Sequence, residues 1–148
     1  MIVIEQTNKP PAVLKPLDIA KLEKELAYIL RTKSKKVASL TFVTEAKIQK
    51  LNHDFRKINK PTDVLSFQVG PALHGIGEEG KSLLGDIVVC TAYARHEADR
   101  RGMTLREELI RLIAHGVLHL SGYDHATTEE EAKMFAMQER VVEAVLSV

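Results

Sequence analysis

The segment from His115 to His125 constrains the fold of this chain more than any other part of the sequence. His115 and His119 lie four residues apart within the apolar run 112–120, so a helix would project both imidazoles from one face. Gly122 follows three residues later, and glycine readily adopts the left-handed conformation that ends helices. The chain can therefore turn back and bring His125 to the helical pair, in the pattern H-x-x-x-H-x-x-G-x-x-H.

Three converging imidazoles predict a site for one metal ion per chain. Neutral nitrogen ligands suit zinc, and catalytic zinc sites typically keep three protein ligands and a fourth position open to water. A bound ion lowers the pKa of that water to about 7 and polarises a carbonyl or phosphoryl oxygen, which favours a hydrolase. Imidazole sites also accept iron, manganese or nickel, so the identity of the ion stays open.

Composition and charge set further bounds. With 148 residues, 45% of them hydrophobic, the chain is expected to form one metal-dependent hydrolase domain over residues 1–148, without disulfides. The 21 Lys and Arg residues nearly balance the 20 Asp and Glu residues, which argues against a disordered or uniformly basic protein. Cys90 is the only cysteine, and the sequence has neither a signal-peptide pattern nor an apolar run of the roughly 20 residues that a membrane span requires. We therefore expect a cytoplasmic protein without membrane partners.

Hydrophobic patterning predicts an α+β domain with one four-stranded mixed sheet and about five helices. A glycine-rich segment, residues 70–80, is expected to form a flexible surface loop between the third and fourth strands. The predicted strands are rich in β-branched residues: the first begins with residues 2–4, and the other three cover 37–43, 64–69 and 83–90. The predicted helices cover 16–30, a segment capped by Thr44, 91–101, 104 to about 121, and 127 or 128 to 146.

The position after the first histidine separates this chain from zinc peptidases. Metalloproteases with this spacing carry a glutamate there as general base for the zinc-bound water, whereas this chain has Gly116. Glycine cannot transfer a proton, so peptidase activity becomes the weaker hypothesis. Asp124, beside the third histidine, has three candidate roles: substitute base, partner that orients an imidazole, or turn former. The last two are favoured, because aspartate commonly fills them.

The segment His115-Gly-Val-Leu-His119-Leu-Ser-Gly-Tyr-Asp-His125 resembles the signature of the YbeY family of bacterial endoribonucleases. Three upstream segments are similar to that family in the same order: Asn52-His-Asp-Phe-Arg56, Pro61-Thr-Asp-Val-Leu-Ser-Phe67 and Leu84-Gly-Asp-Ile87. The resemblance runs from about residue 40 to residue 125. Gln68 stands where the family is expected to have proline, a departure that concerns local strand geometry only.

The resemblance implies a single-domain fold related to zinc peptidases, with a metzincin-like helix and with His115, His119 and His125 as metal ligands. It also implies single-strand-specific RNA cleavage in 16S rRNA 3′-end maturation and late 30S quality control, with ribosomal RNA and 30S particles as partners. Arg56 is the further residue that it singles out, since a guanidinium can hold a phosphate with paired donors. The alternative for Arg56 is a solvated arginine at a helix end.

Two groups of basic residues are candidates for additional phosphate contacts, because phosphate neutralisation dominates nucleic-acid affinity. The second group is favoured, since its helix leads into the histidine segment. The groups are Arg31/Lys33/Lys35/Lys36 and Arg100/Arg101/Arg106/Arg111.

Two other functions stay open on the sequence alone. A peptidase with an unconventional base agrees with the histidine spacing but not with Gly116. A non-catalytic ribosome-assembly factor, in which a structural metal ties the loop after Gly122 to its helix, requires a closed fourth coordination position. The oligomeric state is not determined by the sequence.

Overall fold

A computed structural model describes residues 1–68 and 81–147, and this part of the chain forms an α+β fold with a four-stranded mixed sheet and five helices. The predicted fold class is therefore confirmed. The expected loop 70–80 lies outside the described residues, as does the last predicted residue of the third strand. The elements in chain order are β1 (Ile2–Gln6), α1 (Pro16–Leu30), β2 (Lys35–Val43), α2 (Glu45–Arg56), β3 (Val64–Gln68), β4 (Lys81–Cys90), α3 (Thr91–Arg101), α4 (Leu105–Leu120) and α5 (Thr128–Leu146).

The sheet has the strand order β1-β2-β4-β3. β1 and β2 are parallel, as are β2 and β4, whereas β3 pairs antiparallel with β4. Parallel neighbours require a crossover connection, and α1 supplies the one between β1 and β2. β3 is an edge strand, with Ser66 opposite Ile87 and Phe67 opposite Asp86. It therefore borders the sheet on the side where α4 approaches.

α4 is the central helix of the fold. Ten of its 16 residues are buried, and it packs against three other helices and against β3 and β4. A helix surrounded on most sides needs apolar residues around most of its circumference, which explains the nearly continuous apolar run in its sequence. Its buried residues join one cluster with side chains such as Leu22, Ile87 and Val141. The hydrophobic effect, at about 25 cal/mol per Å² of buried apolar surface, therefore fixes α4 in the core.

Three helices begin at threonine caps. The side-chain oxygens of Thr44, Thr104 and Thr127 each accept the backbone N–H three residues later, at 3.1–3.2 Å. These bonds satisfy donors that have no partner within the helix, and they place the start of α5 after Thr127. No helix in the described part of the chain is both long and apolar enough to cross a lipid bilayer.

Candidate metal centre

A single polar stripe interrupts the buried surface of α4. Within residues 108–120, only Arg111, His115 and His119 are not buried, and their four-residue spacing places them on one face of the helix. The remaining positions of this stretch pack into the core and so fix the rotation of α4 about its axis. The core thereby determines the direction in which both histidines project.

The chain after α4 turns back as the glycine spacing predicts. Gly122 has a φ of +104° and its N–H donates to the carbonyl oxygen of His119 at 3.1 Å. The carboxylate of Asp124 then accepts the backbone N–H of the next residue, His125, at 2.7 Å. These two bonds return His125 to the face of α4 that carries the other two histidines.

The three histidine rings form a nearly equilateral triangle. Ring centroids are 6.5 Å apart for His115 and His119, 6.0 Å for His115 and His125, and 6.1 Å for His119 and His125. Zinc–nitrogen bonds of about 2.0–2.1 Å at tetrahedral angles would place such centroids roughly 5 Å apart. The rings therefore lie close to the spacing of a zinc site and need to approach by about one ångström to match it.

Asp124 belongs to a tighter grouping than the sequence suggested. Ligand atoms of His119, Asp124 and His125 lie within 4.8 Å of one another, and His115 is outside this group. The three histidines stay the predicted ligands, because their rings form a complete triangle. Asp124 exposes its carboxylate beside His119 and His125 and is a further candidate ligand, in addition to accepting the turn N–H. Its adjacency to His125 is the only signal for such a role in the sequence.

The donor set fits a transition-metal ion such as zinc. Burial lowers the pKa of His115, and the charges of His125 and His119 lower it further, whereas the hydrogen bond to Gln138 opposes the shift. Metal binding requires the neutral imidazole, and a lowered pKa keeps His115 neutral at pH 7. Nδ1 of His119 is buried and has no hydrogen-bond partner within the described residues. This nitrogen is therefore shielded from water, and no hydrogen bond from these residues replaces the lost one.

Arg56, the last residue of α2, lies at the same cleft as the three histidines. This cleft of about 220 Å³ is lined by Arg56, by residues 64–66 of β3 and by all three imidazoles. The Arg56 side chain is exposed, and no carboxylate of the described residues lies within 4.0 Å of it. The α+β topology thus brings together residues from α2, β3, α4 and the following turn at one cleft.

A second cleft of about 410 Å³ continues from the first. Both clefts include Ser66 and His119, and the second extends to Phe67 and Tyr123. Phe55, next to Arg56 on α2, is 67% exposed and contacts Phe67 edge-to-face, with ring centroids 5.2 Å apart. The histidines therefore lie on an open surface that offers a cation and an aromatic ring.

Gly116 faces the sheet and not the cleft. A Cβ at position 116 would come within 3.0 Å of the Cδ1 atom of Ile87 and within 3.1 Å of both its γ carbons. Ile87 is completely buried, so a Cβ at position 116 would require its side chain to shift by a few tenths of an ångström. The catalytic glutamate of zinc peptidases has no counterpart in the sequence, and a side chain at this position would begin against the sheet and not in the cleft.

The structure pairs the second basic group with carboxylates of this chain, and the phosphate contacts of this group stay a prediction. Each of its guanidinium groups lies within 4.0 Å of a carboxylate of this chain: Arg100 and Arg101 at Glu97, Arg101 also at Glu108, Arg106 at Asp18, and Arg111 at Glu139. These salt bridges offset part of the charge that phosphate binding would use, while the Arg100 and Arg101 side chains stay exposed. The two contacts with Glu97 are local pairs within α3, which the sequence spacing allows. The contacts with Glu108, Asp18 and Glu139 join different helices, so the sequence could not reveal them.

Residues 10–146 match the family model described as Endoribonuclease YbeY. A relative of that name from Sulfurihydrogenibium sp. is 46% identical over 104 residues, covering 70% of this chain and 66% of the relative. Another of that name, from Treponema denticola, is 35% identical over 141 residues, covering 95% of this chain and 90% of the relative.

A solved structure agrees with these matches. The solution structure of TM1509 from Thermotoga maritima superimposes with a TM-score of 0.63 at 29% sequence identity, covering 98% of this chain and 89% of that one. The resemblance inferred from the motifs is thereby confirmed, and the matched region 10–146 extends it beyond residues 40–125 in both directions. The chain belongs to the YbeY family of endoribonucleases.

Proposed function

We propose that this chain is a zinc-dependent endoribonuclease that cleaves single-stranded RNA. The observation that carries the proposal is the cleft in which Arg56 meets His115, His119 and His125. Three neutral imidazoles hold one ion, and an arginine beside them binds the anionic group on which the ion acts. A phosphodiester substrate suits both features, because its anionic group can bind Arg56 while the ion acts on that group.

The chemistry divides between the ion and the side chains. When bound, zinc supplies an activated water and stabilises negative charge on a phosphoryl oxygen. Arg56 binds a phosphate oxygen with paired N–H donors and offsets the charge that develops there. Asp124, whose exposed carboxylate lies next to His119 and His125, is the acceptor available for a proton. No glutamate at position 116 is needed in this scheme.

The preference for single strands is supported by the surroundings of the cleft. Phe55 exposes its ring beside Arg56, and stacking of a base on an aromatic side chain contributes about 1–3 kcal/mol to single-strand binding. A base in a duplex is already stacked and paired, and extruding it costs a few kcal/mol. The aromatic ring and the guanidinium together therefore favour an unpaired nucleotide.

We extend the proposal to a biological substrate. The family resemblance of four motifs in the same order supports a role in 16S rRNA 3′-end maturation and late 30S quality control in the cytoplasm. Ribosomal RNA and 30S particles are then the partners. Arg31, Lys33, Lys35 and Lys36 remain candidates for wider RNA contacts, because none of them forms a salt bridge among the described residues.

The proposal is tested by parallel assays on an unstructured RNA and on casein, each with zinc and with a chelator. We expect RNA cleavage that requires zinc and is lost in His119→Ala, and no cleavage of casein. If casein were cut in a His119-dependent reaction while RNA stayed intact, the peptidase alternative would replace the proposal. If neither substrate were cut by zinc-loaded protein that still binds 30S particles, the non-catalytic assembly factor would replace it.

A further inference from the structure

We propose that Gln138, oriented by Glu139 and Arg111, is a positioning residue that fixes the tautomer of His115 and thereby prepares Nε2 for the metal. Two of these three residues lie on α5 and the third lies one helical turn before His115 on α4. The inference rests on the proposed function only for the assumption that His115 is a metal ligand. It does not depend on the substrate or on the reaction.

Arg111 and Glu139 form an ion pair between α4 and α5. Arg111 donates from Nε and from Nη2 to the two carboxylate oxygens, each at 2.8 Å. This two-point contact, with the arginine side chain 15% exposed, is the main cause that lowers the pKa of Glu139. The carboxylate is therefore ionised at neutral pH, and an ionised carboxylate can only accept hydrogen bonds.

Glu139 determines the orientation of the Gln138 amide. Its Nε2 lies 3.1 Å from Oε2 of Glu139, and only the NH2 end of the amide can donate to a carboxylate. The carbonyl end must then face the other way. Oε1 of Gln138 lies 2.9 Å from Nδ1 of His115, so the orientation of the amide follows from the charge of Glu139.

The contact with the Gln138 amide determines which nitrogen of His115 carries the proton. An amide oxygen can only accept, so Nδ1 of His115 must carry the hydrogen. A neutral imidazole has one N–H, and its second nitrogen, Nε2, therefore keeps a free lone pair. Among the described residues, His119 and His125 have no side-chain partner that would orient their rings in this way, so His115 is the ligand whose tautomer the protein itself determines.

The orientation of the His115 ring should affect the affinity for the metal. A histidine ligand held through its other nitrogen has a fixed tautomer and ring direction, and loss of such a partner typically lowers metal affinity about 10- to 100-fold. Gln138 is only 7% exposed, so water cannot easily replace its amide as the acceptor.

The test compares zinc affinity in Gln138→Met, Gln138→Glu and a control, Gln49→Met. Methionine preserves the length of the side chain without the amide, whereas glutamate keeps an acceptor for Nδ1–H. Gln49 lies on α2, and among the described residues its side chain forms a hydrogen bond with Asn59 alone. Chelator competition should show zinc binding about 10- to 100-fold weaker in Gln138→Met, a smaller loss in Gln138→Glu and no change in the control.

A second readout uses the metal-free protein. Imidazole ¹⁵N chemical shifts of His115 should report a protonated Nδ1 in the unsubstituted chain and a mixture of tautomers in Gln138→Met. Glu139→Gln should weaken zinc binding less than Gln138→Met, and the double variant Gln138→Met/Glu139→Gln should bind no more weakly than Gln138→Met alone. This non-additivity is expected because Glu139 acts through Gln138.

Three results would overturn the inference: a folded Gln138→Met protein with undiminished zinc affinity, a His115 ring protonated at Nε2 in the metal-free chain, or additive losses in the double variant. Thermal unfolding of each variant shows whether it is folded. None of these measurements involves RNA, so an absence of ribonuclease activity would refute the proposed function and leave this inference intact.

Discussion

Gly116 on α4 lies so close to Ile87 on β4 that a Cβ at this position would come within 3.0–3.1 Å of three atoms of the isoleucine side chain. This close approach of helix and strand sets the depth of α4 in the core and, with it, the height of His115 and His119 above the sheet. The glycine is therefore explained by packing, whereas the sequence showed only that a peptidase glutamate is missing.

Gly116→Ala should lower the free energy of unfolding. Overpacking of a core typically costs about 1–3 kcal/mol, whereas alanine improves helix propensity by about 1 kcal/mol. Ile87 is fully buried and all three of its contacting atoms are too near, so we expect a net loss in urea titrations. Gly116→Ala combined with Ile87→Val, which removes the Cδ1 contact, should recover part of it. A single variant as stable as the original chain would show that Ile87 can move aside.

Metal content should depend on His119 much more than on Asp124. Elemental analysis should find about one ion per chain, because the three imidazoles converge on one point. His119→Ala should lose most of this metal. Asp124→Asn, which keeps an oxygen for the turn N–H of His125, should retain it. Full metal in His119→Ala would remove that residue from the ligand set, and loss of metal in Asp124→Asn would add the aspartate to it.

The secondary structure was largely predictable because local signals and tertiary packing agree. α1 has the predicted bounds, and the threonine caps lie where the sequence placed them. Two strands are longer than predicted: β2 begins at Lys35 and β4 begins at Lys81. The added ends pair with each other, with Lys35 opposite Lys81. The end of a strand depends on backbone hydrogen bonds to the partner strand. The hydrophobic pattern of one strand does not show how far its partner extends.

The site was predictable only where its residues are close in sequence. The spacing of His115, His119 and His125 is encoded within one helix and one turn, so the sequence predicts their convergence. The contact of Gln138 with His115 depends on how α5 packs against α4, and no periodicity encodes it. Glu108 is a similar case: it is 1% exposed, burial raises its pKa, and one of its oxygens has no partner within the described residues. The sequence gives no sign of that burial.

Asp18 should stabilise the fold in a pH-dependent way. Its carboxylate, 3% exposed, accepts hydrogen bonds from Nη2 of Arg106 at 2.7 Å and from Nε at 3.2 Å, and Arg106 is the main cause that lowers the pKa of Asp18 below 3.8. Because the pKa is lower in the folded state, the stabilisation is complete above the unfolded value and is lost as the pH falls through the folded value.

Asp18→Asn should therefore reduce the free energy of unfolding at pH 7, by about 1–3 kcal/mol for a buried hydrogen-bonded group. Denaturant titrations at pH 7, 5, 4 and 3 should show this difference constant down to about pH 4 and smaller below. Asp99→Asn, at an exposed position on α3, is the matched control and should have little effect. A difference between Asp18→Asn and the original chain that does not change with pH would mean that the charge of Asp18 is not what stabilises the fold.

Substitutions of Arg56 should affect RNA cleavage without affecting metal binding. Arg56→Ala should leave metal content unchanged and shift stability by no more than about 0.5 kcal/mol, as is usual for exposed positions. RNA cleavage should nevertheless fall about a hundredfold or more, which is the typical cost of removing one donor to a transition state. Arg56→Lys should recover only part of the rate, because an ammonium keeps the charge and loses the planar two-point contact. Arg95→Ala, an exposed arginine of α3, should cleave at the original rate. If Arg56→Ala cleaved RNA as fast as Arg95→Ala, Arg56 would be a solvated arginine at a helix end, and the cleft would need another group to bind phosphate.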